Sequence, residues 1–358
     1  MKKRQVVVAV VQSAPILFDK RSAMDILASK TREAAGQGAE LVVFPEAFLP
    51  GYPRGLYFGA RVGSRNAEGR KDWARYWDNA IDIPGAETEE LGELARENGV
   101  YLVVGVVERG SEFGGGTLYN SIVYFGPDGQ VLGKHRKLVP TGSERLLWGQ
   151  GDGSTLTVID TPFGRIGGLI CWENYMPLAR TALYAQGIDI FITPTADARD
   201  TWQSTLRHIA CEGRCFVVSS NQYATKAFYP EDLACYGDME DEPDVLSRGG
   251  SAIVGRSGNT SPILSTTGRE RCWRHWISRS LRKAASILTP SVITAGRMCS
   301  NWSSTPVSKL SCVLFTSQTR TRTRYLTTGH FILRRCETKE GPTFKLLSTR
   351  SCGVKAIH

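Results

Sequence analysis

The sequence predicts a layered α/β protein over residues 1–260, followed by a basic region of different composition over residues 261–358. Strand-like and helix-like segments alternate through the first 260 residues, and the strands are continuous apolar runs, which is typical of sheets covered on both faces. Of the 358 residues, 41% are hydrophobic and 22% are charged, the composition of a globular protein with a core. The length fits two domains, or one large domain with an extension.

The first elements follow from apolar runs and from residues that bound helices. The β-branched run at residues 5–12 predicts a strand. Residues 22–38 predict a helix, because Ser22 stands at its start and Gly36 near its end. The apolar run at residues 39–44 predicts a second, buried strand.

A second helix, a strand and a hairpin come next. An apolar face predicts a helix over residues 88–98, which a glycine ends, and residues 100–108 predict a strand. Residues 119–125 and 131–134 predict a hairpin that turns through Gly126-Pro127-Asp128-Gly129. Further strands are expected at 155–160, 166–170, 188–193, 216–220 and 252–255, and further helices at 176–186 and 201–213.

The positive charge of the chain is concentrated in its last quarter. The net charge is +9, but residues 261–358 hold 17 Lys+Arg against three acidic residues, whereas the first 260 residues hold 27 basic and 32 acidic residues. The last quarter also has 28 Ser+Thr, no Asp and five of the nine cysteines. The spacing of these cysteines matches neither paired zinc ligands nor a compact disulfide domain.

Three interpretations of residues 261–358 stay open: a basic tail that binds nucleic acid, a poorly ordered extension, and translation in the wrong reading frame. Codons for residues 283–304 can be chosen so that, read from their third base, they give alternating acidic and apolar residues with a Gly-His-Tyr segment. That pattern is more typical of a folded protein. We therefore expect that this region is out of frame from about residues 259–264 and poorly ordered, which resequencing of the coding DNA tests.

Membrane and export functions are not indicated. No apolar run approaches the roughly 18 residues of a membrane span. The apolar stretch after Lys2-Lys3-Arg4 is short and lacks a small-residue cleavage site, so a first β-strand is expected there instead of a secretion signal.

Cys171 is a candidate nucleophile because it ends a strand-like run and is followed by Trp172-Glu173-Asn174. Backbone N–H groups converge where a strand gives way to a helix, and they stabilise a thiolate or an oxyanion. A cysteine at such a position is also compatible with simple core packing. A nucleophilic thiol therefore needs a base and a cation nearby.

Histidine is a poor candidate for that base. Residues 1–260 contain two histidines, His135 and His208, and His208 lies on a helical pattern that favours packing or hydrogen bonding. A Cys-His dyad is therefore weakly supported, and the absence of a G-x-S-x-G motif argues against a serine triad.

Two other segments supply a base and a cation. Glu46 follows a buried strand, Lys137 follows the second strand of the predicted hairpin, and Glu144 comes shortly after Lys137. Each has an alternative explanation: Glu46 as a solvated strand end, Lys137 as one of a basic cluster, and Glu144 as a charge at a helix N-terminus. Their occurrence together with Cys171 favours catalysis.

Three segments carry a resemblance to a known family. Phe44-Pro45-Glu46, His135-Arg136-Lys137-Leu138 and Cys171-Trp172-Glu173-Asn174 resemble the signature segments of the nitrilase, or carbon-nitrogen hydrolase, superfamily, and are most similar to those of its nitrilase branch. The likeness covers about residues 5–260. It implies a four-layer α-β-β-α sandwich, no metal or organic cofactor, and subunits that form a homodimer or a larger spiral oligomer.

The resemblance also implies a role for each site residue. Cys171 would be the nucleophile, Glu46 the general base, Lys137 the cation beside the developing negative charge, and Glu144 a second carboxylate that positions Lys137 or a water. Trp172, Glu173 and Asn174 would surround the substrate and the oxyanion. Which carboxylate takes which role stays open at this point.

The implied reaction is hydrolysis of an organic nitrile to a carboxylic acid and ammonia through thioimidate and thioester intermediates on the cysteine. The first alternative is an amidase or other carbon-nitrogen hydrolase, since amides react at the same four residues; a nitrilase impaired by its altered C-terminus is another. The alternative from a different functional class is a binding protein, in which residues 1–260 are catalytically inactive and the basic tail binds nucleic acid. No stacking surface accompanies the basic residues, which argues against it.

Cellular and assembly properties follow from the same features. The four cysteines of residues 1–260 fit a reducing compartment, so a cytoplasmic enzyme without a membrane or nucleic-acid partner is expected. Replacement of the family's closing strands by the basic run is expected to expose apolar sheet surface and to leave the chain less stable, prone to aggregation or poorly active.

Overall fold

The computed structural model describes residues 5–112, 115–260, 271–278, 331–338, 341–348 and 355–357. In these residues the α-helices are α1 (Lys20–Gly36), α2 (Ala67–Asn79), α3 (Ala86–Asn98), α4 (Pro177–Ala185) and α5 (Asp200–Gly213). The strands are β1 (Gln5–Gln12), β2 (Leu41–Val43), β3 (Ala60–Arg61), β4 (Ser64–Arg65), β5 (Tyr101–Arg109), β6 (Leu118–Phe125), β7 (Val131–Arg136), β8 (Val158–Thr161), β9 (Gly164–Gly168), β10 (Ile190–Ile192), β11 (Phe216–Ser219), β12 (Tyr223–Thr225), β13 (Val245–Arg248), β14 (Ala252–Val254), β15 (Arg271–Ser278), β16 (Phe331–Thr338), β17 (Gly341–Ser348) and β18 (Lys355–Ile357).

Two mixed sheets form the centre of the first part of the chain. One has the order β15-β1-β2-β5-β6-β7 and the other β14-β11-β10-β9-β8. The inner strands β1, β2 and β5 run parallel to one another, as do β9, β10 and β11. Helices α1 and α5 lie between consecutive parallel strands of their sheets, as crossover connections require.

The buried clusters show that these sheets pack face to face. One cluster joins Val8 and Val43 of the first sheet to Ile166 and Ile192 of the second. The opposite face of the first sheet packs on α1 and α3, and that of the second sheet packs on α4 and α5. This arrangement is a four-layer α-β-β-α sandwich, so the predicted fold class is confirmed.

Most of the predicted elements are present, with shifts at their ends. Helix α1 begins before the predicted Ser22 because the Asp19 side chain accepts a hydrogen bond from the Ser22 N–H at 2.9 Å and caps the helix. Helix α2 was not predicted, since its buried residues are Gly69, Asp72 and Tyr76, which do not form an apolar pattern at helical spacing. Its N-cap is Asn66, and Tyr76 is fully buried in a third cluster with Phe18 and Phe58.

The prediction for residues 261–358 falls largely outside the described residues. Within it, β15 pairs antiparallel with β1 from Gln5↔Ser278 to Gln12↔Arg271, so the edge of the first sheet at β1 is covered. The described strands β16, β17 and β18 make an antiparallel sheet of their own.

Candidate active site

The ends of three strands and one short helix bring the predicted catalytic residues together. Glu46 lies three residues after β2, Lys137 directly follows β7, and Cys171 lies three residues after β9. Glu144 lies on a 3₁₀ helix, Gly142–Leu146. The N–H of Thr141, the N-cap residue of that helix, donates to the Glu144 carboxylate at 2.7 Å. Glu144 is therefore both a helix N-terminal charge and a member of the cluster.

The ammonium of Lys137 lies between the two glutamates. Its Nζ is 2.8 Å from Glu46 Oε1 and 2.7 Å from Glu144 Oε2, and its side chain is fully buried. Burial lowers the pKa of Lys137, but the charges of Glu46, Cys171 and Glu144 outweigh burial and raise it above its ordinary value. The site therefore favours an ammonium at Lys137, close enough to Cys171 for the two groups to interact electrostatically.

Glu46 is buried and bound on both carboxylate oxygens. Asn120 Nδ2 donates to Oε1 at 2.8 Å, and the Ala196 N–H donates to Oε2 at 2.8 Å. Burial raises the pKa of Glu46, which Lys137 opposes and Glu144 reinforces, leaving it above the ordinary value of 4.5. A carboxylate with a raised pKa is a stronger base than an ordinary one.

Cys171 begins a second 3₁₀ helix, Cys171–Tyr175, and its backbone is in the left-handed region with φ of 50°. Such a conformation is uncommon for a non-glycine residue and is typical of functional sites. Its Sγ accepts a hydrogen bond from Thr195 Oγ1 at 3.1 Å. Burial and the charge of Glu46 raise its pKa to about 12, while Lys137 lowers it, so the resting side chain is a thiol that needs a base.

The residues that follow Cys171 divide into two kinds. Trp172 lines the cavity, with its indole N–H 2.8 Å from Asp197 and the Arg199 guanidinium over its ring. In the described part of the chain the Trp172 backbone N–H donates to no backbone oxygen, which leaves it free for a ligand. By contrast, the side chains of Glu173 and Asn174 are buried and bonded to protein groups behind the cavity.

An open cavity of about 590 Å³ gives access to this cluster. Cys171, Glu144, Tyr52 and Arg54 are among its lining residues, and Glu46 lies beneath them. In the residues that the structure describes, no group of three His, Cys, Asp or Glu side chains could hold a metal ion.

Several site residues were not found from the sequence. Asn120 contacts Glu46, Thr195 contacts Cys171, and the Tyr52 hydroxyl donates to Glu144 Oε1 at 2.7 Å. A signal existed for Thr195, because it follows β10, the parallel neighbour of β9, and such strand ends meet at one edge. Tyr52 and Asn120 had no comparable signal.

The two histidines lie in different environments. His135 is buried, with Nε2 3.1 Å from both oxygens of Glu173. His208 has a side chain that is 63% exposed and 3.5 Å from Glu212, so it is an outer member of α5 and does not pack into the core.

Comparisons with known proteins agree on one family. The family model for carbon-nitrogen hydrolases matches residues 7–285, which extends past the predicted boundary at residue 260. An aliphatic nitrilase of Sinorhizobium fredii (strain HH103) is 53% identical over 247 residues, covering 69% of this chain and 78% of the relative. Nitrilase 1 of Arabidopsis thaliana is 48% identical over 255 residues, covering 70% and 72% of the two chains.

Solved structures support the fold. A CN-hydrolase superfamily protein from Xanthomonas campestris has a TM-score of 0.61 at 18% identity, with 81% of this chain and 97% of that chain covered. At that identity the likeness concerns architecture alone. The match to the family model, together with a relative that is 53% identical over 69% of this chain, establishes that the chain belongs to the carbon-nitrogen hydrolase family.

Proposed function

We propose that this enzyme is a nitrilase that hydrolyses an organic nitrile to a carboxylic acid and ammonia. The observation that carries the reaction type is the thiol of Cys171 at a cavity, beside an ammonium held between two buried carboxylates. The nitrile is favoured as substrate because relatives about 50% identical are nitrilases.

The first half-reaction forms a covalent intermediate. Glu46 accepts the thiol proton while Sγ of Cys171 attacks the nitrile carbon, so that a C–S bond forms as one C–N π bond breaks. Negative charge develops on the nitrile nitrogen, where Lys137 and the Trp172 N–H stabilise it. Transfer of the proton to that nitrogen gives a neutral thioimidate on Cys171.

The second half-reaction consumes two waters. The first water adds to the thioimidate carbon, and ammonia leaves as the tetrahedral adduct collapses to a thioester. The second water, deprotonated by Glu46, cleaves the thioester to the carboxylic acid and returns the proton to Cys171. Atoms balance, since one nitrile and two waters give one acid and one ammonia.

We assign the base to Glu46 and a supporting role to Glu144. Of the two carboxylates, Glu46 raises the pKa of the Cys171 thiol more than Glu144 does. Glu144 is tied to Thr141, Tyr52 and Lys137, which suits a group that holds Lys137 in place. Glu46 would act in both half-reactions.

The test is ammonia release from a panel of aliphatic and aromatic nitriles and their matching amides, with Cys171→Ala as control. Release from nitriles that is lost in the control is the expected result. Release from amides alone would move the assignment to an amidase. The proposal would be overturned if neither nitriles nor amides released ammonia, both with this chain and with one in which the reading frame is restored.

We further propose a cytoplasmic enzyme that forms a homodimer or a larger spiral oligomer. Free Cys171, Cys211, Cys215 and Cys235 suit a reducing compartment. In the described residues no helix is long and apolar enough to cross a membrane. Leu178, 84% exposed on α4, provides apolar surface for subunit contact, and light scattering on the purified chain tests the assembly.

A further inference from the structure

The carboxylate of Glu173 joins two segments of the chain behind the cavity. Its Oε2 accepts the Ile170 N–H at 2.6 Å, and its Oε1 accepts the Leu138 N–H at 2.5 Å. Glu173 is 1% exposed and does not line the cavity. Its oxygens are therefore occupied by protein donors and do not face a substrate.

His135 is the third group, after the two backbone N–H donors, that contacts the Glu173 carboxylate. Its Nδ1 is 3.0 Å from the Thr155 carbonyl, which can only accept, so Nδ1 is the donor there. Its Nε2 lies 3.1 Å from both oxygens of Glu173. The imidazole is thus held between the Thr155 carbonyl and the Glu173 carboxylate, and each of its nitrogens is within hydrogen-bond distance of an oxygen.

The two backbone groups that Glu173 binds are next to the reacting groups. Ile170 directly precedes Cys171, and Leu138 directly follows Lys137. One carboxylate therefore fixes the turn that carries the nucleophile relative to the strand end that carries the cation. Misplacement of a reacting group by about 1 Å costs about 10²-fold in rate.

We propose that Glu173, oriented by His135, is a positioning residue that sets the separation of the Cys171 thiol from the Lys137 ammonium. The effect on turnover rests on the proposed nitrilase function, but the effect on the thiol does not. Substitution of Glu173 leaves Cys171, Lys137 and both other glutamates in the chain and changes only how they are held.

The test compares Glu173→Gln with a matched control, Asp72→Asn. Asp72 is also buried and also accepts two backbone N–H groups, from Ala234 at 3.0 Å and Cys235 at 2.7 Å, but it joins α2 to a loop that carries no catalytic residue. Each amide places an NH₂ group against a backbone N–H, so the two variants lose the same kind of interaction.

Three quantities are measured in each variant: kcat, KM for a nitrile, and the rate at which iodoacetamide alkylates Cys171, followed by peptide mass spectrometry. We expect kcat of Glu173→Gln to fall about 10²-fold with KM within about twofold, and alkylation to slow about tenfold. Asp72→Asn is expected to lose thermal stability while kcat per folded subunit stays within about threefold.

A role of Glu173 in stability alone would be shown by equal effects of the two variants, or by a Glu173→Gln enzyme with a lower Tm and unchanged kcat and alkylation. Either result overturns the proposal. If Glu173→Gln does not fold, His135→Gln is measured instead, because it keeps Glu173 with both of its backbone contacts and removes the imidazole. An unchanged rate of Cys171 alkylation in His135→Gln also overturns the proposal. Because alkylation needs no nitrile, it separates failure of the positioning role from failure of the proposed function.

Discussion

The hydroxyl of Thr195 donates a hydrogen bond to the Sγ of Cys171 over 3.1 Å, and both residues are buried. This contact lowers the pKa of the thiol, which burial and the charge of Glu46 nevertheless raise to about 12. The Thr195 Oγ1 also accepts the Asp197 N–H at 2.9 Å, which orients the hydroxyl. Thr195, which follows the neighbouring strand β10, thus favours ionisation of the nucleophile, in addition to the actions of Glu46 as base and Lys137 as cation.

Thr195→Val is expected to lower kcat/KM for a nitrile about fivefold, because a net hydrogen bond is worth about 1 kcal/mol. The shape of the side chain is nearly kept, so folding is expected to be intact. Steady-state ammonia release measures the effect, with Thr181→Val as the control, since the Thr181 hydroxyl bonds within α4 to the Pro177 carbonyl. Equal activity of both variants would contradict the role of the hydroxyl.

Asn120→Leu is expected to move the acidic limb of the kcat/KM profile to higher pH. The amide of Asn120 stabilises ionised Glu46, so its loss raises further a pKa that burial already raises. Only ionised Glu46 accepts the thiol proton, and activity is therefore lost sooner as the pH falls. Profiles between pH 5 and 9 test this; an acidic limb that stays in place, or that moves equally in Asn98→Leu, would be the contrary result.

Stability is expected to fall as the pH rises from about 9 towards 12. Burial raises the pKa of Cys215 from 9.0 to about 12, opposed by Arg256, so in this window the unfolded thiol has lost a proton that the folded thiol keeps. The unfolded state then binds fewer protons, and the free energy of unfolding decreases by about 1.4 kcal/mol per pH unit for such a thiol. Cys171 adds a similar contribution.

Urea unfolding of the wild type and of Cys215→Ala between pH 8.5 and 10.5 measures this loss. The Ala variant is expected to lose less stability with rising pH, so the difference between the two proteins should shrink. A difference that stays constant over the range would show that the ionisation of Cys215 does not differ between the folded and unfolded states.

Restoring the alternative reading frame after about residues 259–264 is expected to give a more stable and more active enzyme. Residues 261–358 carry 17 Lys+Arg against three acidic residues, unlike the rest of the chain. Thermal unfolding and nitrile turnover of the two chains provide the comparison. A soluble, regular oligomer with full turnover from the present sequence would contradict the expectation.

The fold and the clustering of the charged residues could be predicted because strand patterns and three segments that resemble a known family indicate them. Strand patterns placed Glu46, Lys137 and Cys171 at strand ends, and the structure brings all three together. Asn120 could not be predicted in the same way, and Thr195 had only its position after a strand as a signal, because the roles of both depend on which strands become neighbours. Glu173 lies in a recognisable segment, yet whether its side chain faces the substrate or the backbone depends on the turn at Cys171.

Trapping of the covalent intermediate tests the role of Cys171 most directly. The enzyme is mixed with a nitrile, quenched in acid within one turnover, digested and examined by mass spectrometry, with Cys171→Ala treated identically. The predicted result is a mass increase on the Cys171 peptide equal to the nitrile, as thioimidate, or to the acyl group less one hydrogen, as thioester. The Ala variant is expected to give neither adduct nor ammonia. Turnover by Cys171→Ala, or an adduct on another residue, would contradict nucleophilic catalysis by this thiol.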